Sequence, residues 1–185
     1  MFNDKFGLTQ AVLDGRKTMT RRISEDQIRN SIFCKSGYES IHGYEIKPKY
    51  KVGEVVAIAQ SYESVYNEKG LETMDMLVSG LKNHKGWQNK LFVAAGYMIH
   101  HIRITDIKIE RLQDISDEDC MKEGIIHAYT NNNGIKIYHT PHTKRGYLST
   151  DVAQEAFAFL INKVSGKGTW ESNPYVFVYE FKLID

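Results

Sequence analysis

Alternating hydrophobic and polar residues mark four segments of the chain, and this period of two predicts β-strands. The first segment is Thr18 to Ile23, and the second, entered through a glycine-containing turn, is Val52 to Ser61. The third is His100 to Leu112. The fourth, Tyr175 to Ile184, places five apolar residues on one face: Tyr175, Phe177, Tyr179, Phe181 and Leu183.

The apolar residues of the third segment change face partway along it. Ile102 and Ile104 alternate with one parity and Ile107 and Ile109 with the other, so the slip falls at Thr105-Asp106. Such a slip indicates a bulge or a sharp bend. Strands that change face are common where a sheet curls into a barrel, and we therefore expect the four strands to form one curled sheet.

Helical spacing is clearest from Asp151 to Ser165, and shorter helices are predicted at Phe6 to Asp14 and Ser116 to Glu123. A glycine follows each of the three segments, as is typical of helix ends. The long helix carries an apolar stripe that recurs every three or four residues: Ala153, Ala156, Phe157, Leu160, Ile161 and Val164.

The remaining segments are less regular. A hairpin is predicted over Ile125 to Tyr138 and a mobile loop over His139 to Leu148. Glu63 to Lys90 reads as an insertion with a helix, because Leu71, Met74, Leu77, Val78 and Leu81 have roughly helical spacing. Residues 24–50 are polar and predict no element. We expect a single α+β domain over residues 1–185, with insertions near 24–50, 63–90 and 126–148.

Composition narrows the class of protein. Cys34 and Cys120 are far apart and form no CxxC pair, so a disulfide framework or zinc ribbon is not expected. We expect a cytoplasmic protein with no membrane partner, because no leader is evident and the longest apolar run, Leu91 to Ile99, is too short to cross a bilayer. The net charge of +1 favours local contact with any nucleic acid, through one patch or pocket.

Candidate chemistry is concentrated between Gly15 and Arg22, where four cations and two threonines lie within eight residues. Such a cluster can hold a phosphate or carboxylate, and a lysine can assist deprotonation of a hydroxyl. A solvated basic strand has the same composition, so that interpretation stays open. Glu123 lies in the last turn of a predicted helix, where an acid opposes the helix dipole. It therefore either points to water or faces a cation such as Lys17.

No metal and no cofactor are expected. His139-x-x-His142 and His100-His101 are not accompanied by a ligand cluster of known spacing. The sequence contains no Walker motif, dinucleotide-binding fingerprint or nucleophile elbow. Several aromatic residues could stack on bases or form the core or rim of a barrel: Tyr62, Trp87, Tyr97, Trp170 and Tyr175.

Four segments resemble, in the same order, motifs of the ASCH family, named for activating signal cointegrator homology. Gly15 to Arg22 resembles the Gly-x-Lys-x-x-Thr-x-Arg signature near the start of these domains. Val52 to Val56 resembles the strand entry that follows, and Arg111 to Ile125 the downstream strand and helix that end in Glu-Gly. Trp170 to Phe181 resembles the terminal strand of the larger phage and prophage members.

This resemblance implies a PUA-like fold, a small curled β-barrel flanked by helices, with a cleft beside the signature segment. It also implies action on RNA, a nucleotide or a modified nucleoside. Small bacterial members hydrolyse N4-acylated cytidines with a lysine, a threonine and a glutamate, which match Lys17, Thr20 and Glu123 here. The arginine of the signature matches Arg22. Where phage-type members carry a Val-Arg-Glu-Thr-Trp-like sequence, this chain supplies Gln60 and Tyr62, which we expect to bind substrate.

Three functional hypotheses follow. In an amidohydrolase, Thr20 attacks the acyl carbon, Lys17 assists removal of its proton and Glu123 shuttles a proton to the leaving amine. Arg22 then binds substrate or stabilises developing negative charge. In a binding module without catalysis, the same cations hold an RNA phosphate and Tyr62 stacks on a base. A ribonuclease is a third hypothesis, for which the sequence offers no evident histidine pair or metal site.

Overall fold

The computed structural model of the protein describes residues 2–23, 31–34, 37–40, 47–69, 80–141 and 146–184. Within these ranges lie four helices, α1 (Leu8–Leu13), α2 (Tyr62–Lys69), α3 (Asp117–Lys122) and α4 (Ala153–Ser165). The same ranges contain nine strands: β1 (Met19–Ile23), β2 (Ser31–Cys34), β3 (Gly37–Ser40), β4 (Val55–Ala57), β5 (His101–Arg111), β6 (Ile126–Thr130), β7 (Lys136–His139), β8 (Ser149–Thr150) and β9 (Tyr175–Leu183).

The four strands predicted from alternation belong to one antiparallel sheet in the order β1-β9-β5-β4, and this sheet is strongly curled. The pairing of β5 with β9 shifts register between Ile104 and Asp106, which confirms the predicted bulge. β4 is shorter than predicted. Gly53, at φ +87°, forms the turn before it, and only three residues pair with β5. The described elements therefore give a mixed fold of helices around a curled sheet.

Burial along β9 differs from the predicted pattern. Phe177, Tyr179 and Phe181 are buried as expected, but Val176 and Val178 on the opposite face are buried completely. The reason is that β9 lies between β1 and β5, at the centre of the sheet, and both of its faces are covered. Alternation identified the strand, whereas its central position decided that both faces belong to the core.

The apolar stripe of α4 packs on the core as predicted. Five of its six residues are buried, and Val164 is partly buried against the same cluster.

The predicted helix at Phe6 to Asp14 is wrong in its first part. Gly7 takes a left-handed conformation at φ +60°, which separates a short 3-10 turn (Asp4–Phe6) from α1.

The smaller sheets are formed by residues 31–40 and 126–150. β6 and β7 form the hairpin expected around Asn131 to Gly134, and β8 extends it to three strands. β2 and β3 form a second hairpin within residues 24–50, where the polar composition predicted nothing. Residues 71–79 of the predicted helix from Leu71 to Leu81 lie outside the described residues, and so do residues 142–145 of the predicted loop.

Among the described residues, no helix has the length and apolar character needed to cross a membrane.

Leu160→Ala should lower the free energy of unfolding by about 2–5 kcal/mol, because Leu160 is buried in α4 and its removal leaves a cavity. The measurement is urea unfolding. Phe159→Ala is the matched control, since Phe159 is an exposed residue of the same helix. Equal losses from both substitutions would contradict the packing of this stripe.

Candidate functional site

Lys17 lies in the turn that joins α1 to β1. Gly15, at φ +70°, directs the chain out of the helix, and the backbone N–H of Lys17 donates to the carbonyl of Ala11 at 2.8 Å. The N–H of Thr18 donates to the carbonyl of Lys122 at 3.0 Å, which ties the same turn to the end of α3. Since β1 begins at Met19, Lys17 is not subject to the alternation of the strand.

The Lys17 side chain is buried against Glu123, the residue that ends α3. Its Nζ donates to Glu123 Oε2 at 2.6 Å and to the Glu123 carbonyl at 2.7 Å. The two residues are only 2% and 5% exposed. An ammonium can donate three hydrogen bonds, and the third position of Nζ makes none with a described residue.

The backbone after α3 explains how Glu123 reaches Lys17. The Ser116 hydroxyl caps the helix by accepting from the N–H of Asp119 at 3.1 Å, and Gly124 turns the chain at φ +108°. A side chain at position 124 would meet Leu8 Cδ2 at 3.3 Å, so glycine also permits the close approach of α1. The helix end is thereby fixed against the turn that carries Lys17.

Burial changes the proton affinity of the lysine. Removal from water lowers the pKa of the Lys17 ammonium, and the charge and hydrogen bonds of Glu123 oppose this effect only in part. A lowered pKa makes a neutral amine more accessible than in an exposed lysine, and a neutral amine can accept a proton from a hydroxyl.

Arg21 is the residue of this region that the sequence interpretation missed. Its guanidinium is buried and contacts three carboxylates: Nη2 lies 2.5 Å from Glu110 and 3.1 Å from Asp119, and Nη1 lies 3.2 Å from Glu123. It also lies over the ring of Phe157, 5.9 Å from the centroid. Burial alone would lower the pKa of Arg21, but these carboxylates raise it overall.

Lys108 extends the network on its outer side, where its Nζ lies 2.9 Å from Glu110 and 3.3 Å from Asp119. Burial alone would raise the pKa of Asp119, but its hydrogen bonds and ion pairs with Lys108 and Arg21 outweigh burial and lower it. Asp119 and Glu110 therefore act as the counter-charges that allow Arg21 to be buried.

The buried pair borders a cleft of about 540 Å³. Lys17, Thr20, Arg22 and Glu123 all line it, so four of the residues selected from the sequence are brought together. Arg22 lies over the ring of Phe2, with 5.9 Å between guanidinium carbon and ring centroid. Other lining residues come from the N-terminal segment, from residues 88–91 at the start of the 3-10 turn Lys90–Phe92, and from the apolar face of α4.

Gln60 and Tyr62 do not line this cleft, although Ser61 between them does. The Gln60 amide donates to Glu68 at 3.1 Å, and its buried oxygen has no described partner. Tyr62 belongs to a second apolar cluster with Val65 and Met98, and its hydroxyl accepts from the N–H of Ala94 at 3.0 Å. In this structure both side chains serve the packing of α2, not the cleft wall.

Two other types of site are a metal centre and a reactive cysteine. Across the described ranges, no group of three or more histidine, cysteine, aspartate or glutamate side chains is arranged to hold a metal ion. Cys120 is buried in the core next to the charge network, and burial raises the pKa of its thiol to about 12. A thiol with that pKa is not a reactive nucleophile at neutral pH.

Comparison of the chain with models of protein families, with curated proteins and with solved structures finds no match. The resemblance to the ASCH family therefore stays a prediction carried by the motif residues.

Arg21→Met should lower the free energy of unfolding by about 3–5 kcal/mol, because it leaves Glu110, Asp119 and Glu123 without their shared cation. Urea unfolding measures the loss. Arg16→Met removes an exposed arginine five residues away and should change stability little. If both substitutions had the same small effect, the network would not be a structural requirement.

Asp119 should contribute to acid sensitivity. Its pKa is lowered in the folded state, so its stabilising effect is complete above the ordinary value of about 3.9 and is lost as pH falls through the folded pKa. Thermal midpoints of Asp119→Asn should therefore fall less steeply than those of the wild type below about pH 4. Asp114→Asn, at an exposed position, is the control. Parallel curves for wild type and Asp119→Asn would refute the assignment.

Proposed function

We propose that the protein is an amidohydrolase that removes the acyl group from an N4-acylated cytidine or a similar modified base. The observation that carries this proposal is the buried contact between Lys17 and Glu123 at the wall of a cleft that Thr20 also lines. A lysine with a lowered pKa can take the proton of a threonine hydroxyl in the same cleft and so activate it as a nucleophile. The residue types are those that the ASCH resemblance implies for this chemistry.

The proposed reaction has two steps. The Thr20 oxygen forms an ester with the acyl carbon while the bond from that carbon to the amide nitrogen breaks, and the hydroxyl proton passes through Lys17 to the departing amine. Water then cleaves the ester, releases a carboxylic acid and restores the hydroxyl. Both oxygens of Glu123 already accept from cations, Oε2 from Lys17 and Oε1 from Arg21. Glu123 therefore orients Lys17, and Lys17 is the group that carries the proton.

The fold that we propose is the PUA-like barrel. Its support is that β1, β4, β5 and β9 join in one curled sheet and that the motif segments follow the order of the family. A further support is that the segment from Gly15 to Arg22 enters β1 beside the cleft.

The alternative is a binding module that holds a nucleotide without reacting. The specific observation in its favour is that no hydrogen bond joins the Thr20 hydroxyl to Lys17 or Glu123 among the described residues. In that case Arg22 and the cleft wall bind the ligand, and Lys17 and Glu123 only complete the wall.

Thr20→Val should abolish hydrolysis of N4-acetylcytidine, because valine has nearly the same shape as threonine but no nucleophilic oxygen. Thr20→Ser should keep measurable turnover. The matched control is Thr18→Val, since Thr18 is two residues away and does not line the cleft. Release of cytidine measured by liquid chromatography is the readout, with thermal unfolding as the check on folding.

Mass spectrometry of denatured protein, quenched during turnover, adds a direct test, because an acylated Thr20 peptide would identify the nucleophile. If Thr20→Val hydrolysed the substrate as fast as the wild type, the proposed role of Thr20 would be refuted. A complete absence of turnover in the wild type, together with nucleotide binding, would favour the binding module.

A further inference from the structure

The outer wall of the cleft is rich in positive charge. We define this wall as six of the exposed or partly buried residues that line the cleft: Asn3, Asp4, Lys5, Arg22, Asn89 and Lys90. It contains three cations and one carboxylate, a local net charge of +2, although the whole chain has a net charge of only +1. Clefts lined by one sign of charge concentrate the field and attract ligands of the opposite charge.

The wall's carboxylate is already neutralised. Asp4 accepts from Lys90 Nζ at 2.6 Å, and the same ammonium donates to Thr9 Oγ1 at 3.0 Å and to the carbonyl of Phe2. Lys5, in contrast, is exposed, and it forms no ion pair with a described residue. Its ammonium is available to a ligand.

Two asparagines of the outer wall present hydrogen-bond donors in a fixed orientation. Asn3 Oδ1 accepts from the N–H of Lys5 at 3.0 Å, and Asn89 Oδ1 accepts from the N–H of Leu91 at 3.0 Å. Each oxygen caps a 3-10 turn, and the amide NH₂ of each residue donates to no described residue. The wall therefore offers donors and positive charge to a ligand, and few acceptors.

We infer that the ligand of this cleft carries a phosphate, held at the outer wall by Lys5 and the amides of Asn3 and Asn89. A phosphate has only acceptor oxygens and a negative charge, which matches this set of groups, whereas a neutral nucleoside uses none of the excess charge. A cleft of about 540 Å³ lies within the range of small-molecule sites. This inference rests on the proposed function for the identity of the base as a cytosine. It adds that the ligand is a nucleotide, free or within RNA, and not a nucleoside.

Isothermal titration of the full chain with cytidine and with cytidine 5′-monophosphate tests the inference. We expect the monophosphate to bind about tenfold more tightly or better at low salt, the effect of one charge-assisted contact, and the difference to shrink as salt rises. Lys5→Glu should remove the difference without changing the affinity for cytidine. Lys167→Glu, at an exposed lysine that does not line the cleft, changes the net charge equally and should preserve it.

The outcomes separate this inference from the proposed function. Equal affinities for the two ligands, binding of neither, or a difference that survives Lys5→Glu would overturn the inference, whatever the hydrolysis assay shows. A Lys5-dependent preference for the monophosphate with no hydrolysis of N4-acetylcytidine or its 5′-monophosphate would support the inference and refute the enzyme. A cytidine trinucleotide, titrated in parallel, distinguishes the two phosphate sources. If it binds more tightly than the monophosphate, the phosphate in the cleft belongs to RNA; if it binds more weakly, the phosphate belongs to a free nucleotide.

Discussion

The burial of charge between β1 and α3 is the constraint on which the rest of the site depends. Lys17 and Arg21 are both withdrawn from water, and an unpaired buried cation is far too costly to persist in a folded protein. Each is therefore matched with carboxylates from distant parts of the chain. Glu123 serves both, since one oxygen faces Lys17 and the other faces Arg21. This shared carboxylate couples the two cations into a single structural unit.

The coupling links the geometry of the cleft to the folding of the whole sheet. Arg21 belongs to β1, Glu110 to β5 and Asp119 to α3, while β9 lies between the two strands. The network can close only when the central strand is in register with both neighbours. Lys17 and Glu123 are thus held in place by elements that span the domain, which is the kind of support that a precise site needs.

The pattern of apolar and polar residues along the sequence predicted the elements that depend on contacts between residues close in the chain. The bulge at Thr105-Asp106 was evident because apolar parity changes within one strand, and α4 because its stripe is continuous. The β2–β3 hairpin was not predicted, since strands of four residues are too short to show a period. Arg21 was missed for another reason. Its partners lie 89 to 102 residues away. Alternation along the strand places Arg21 and Arg22 on opposite sides but does not say which of the two is buried.

The contrast between the two buried cations bears on function. Arg21 has four hydrogen bonds to carboxylates and an aromatic neighbour, so its bonding capacity is largely used, as expected of a structural residue. Lys17 borders the cleft, as Arg21 does, but it has only one carboxylate partner and an unused donor position. Stability alone does not favour such a residue, because a well-packed apolar pair often replaces a buried ion pair without loss. The proposed function gives the buried Lys17 ammonium a role that the stability of the fold alone does not supply.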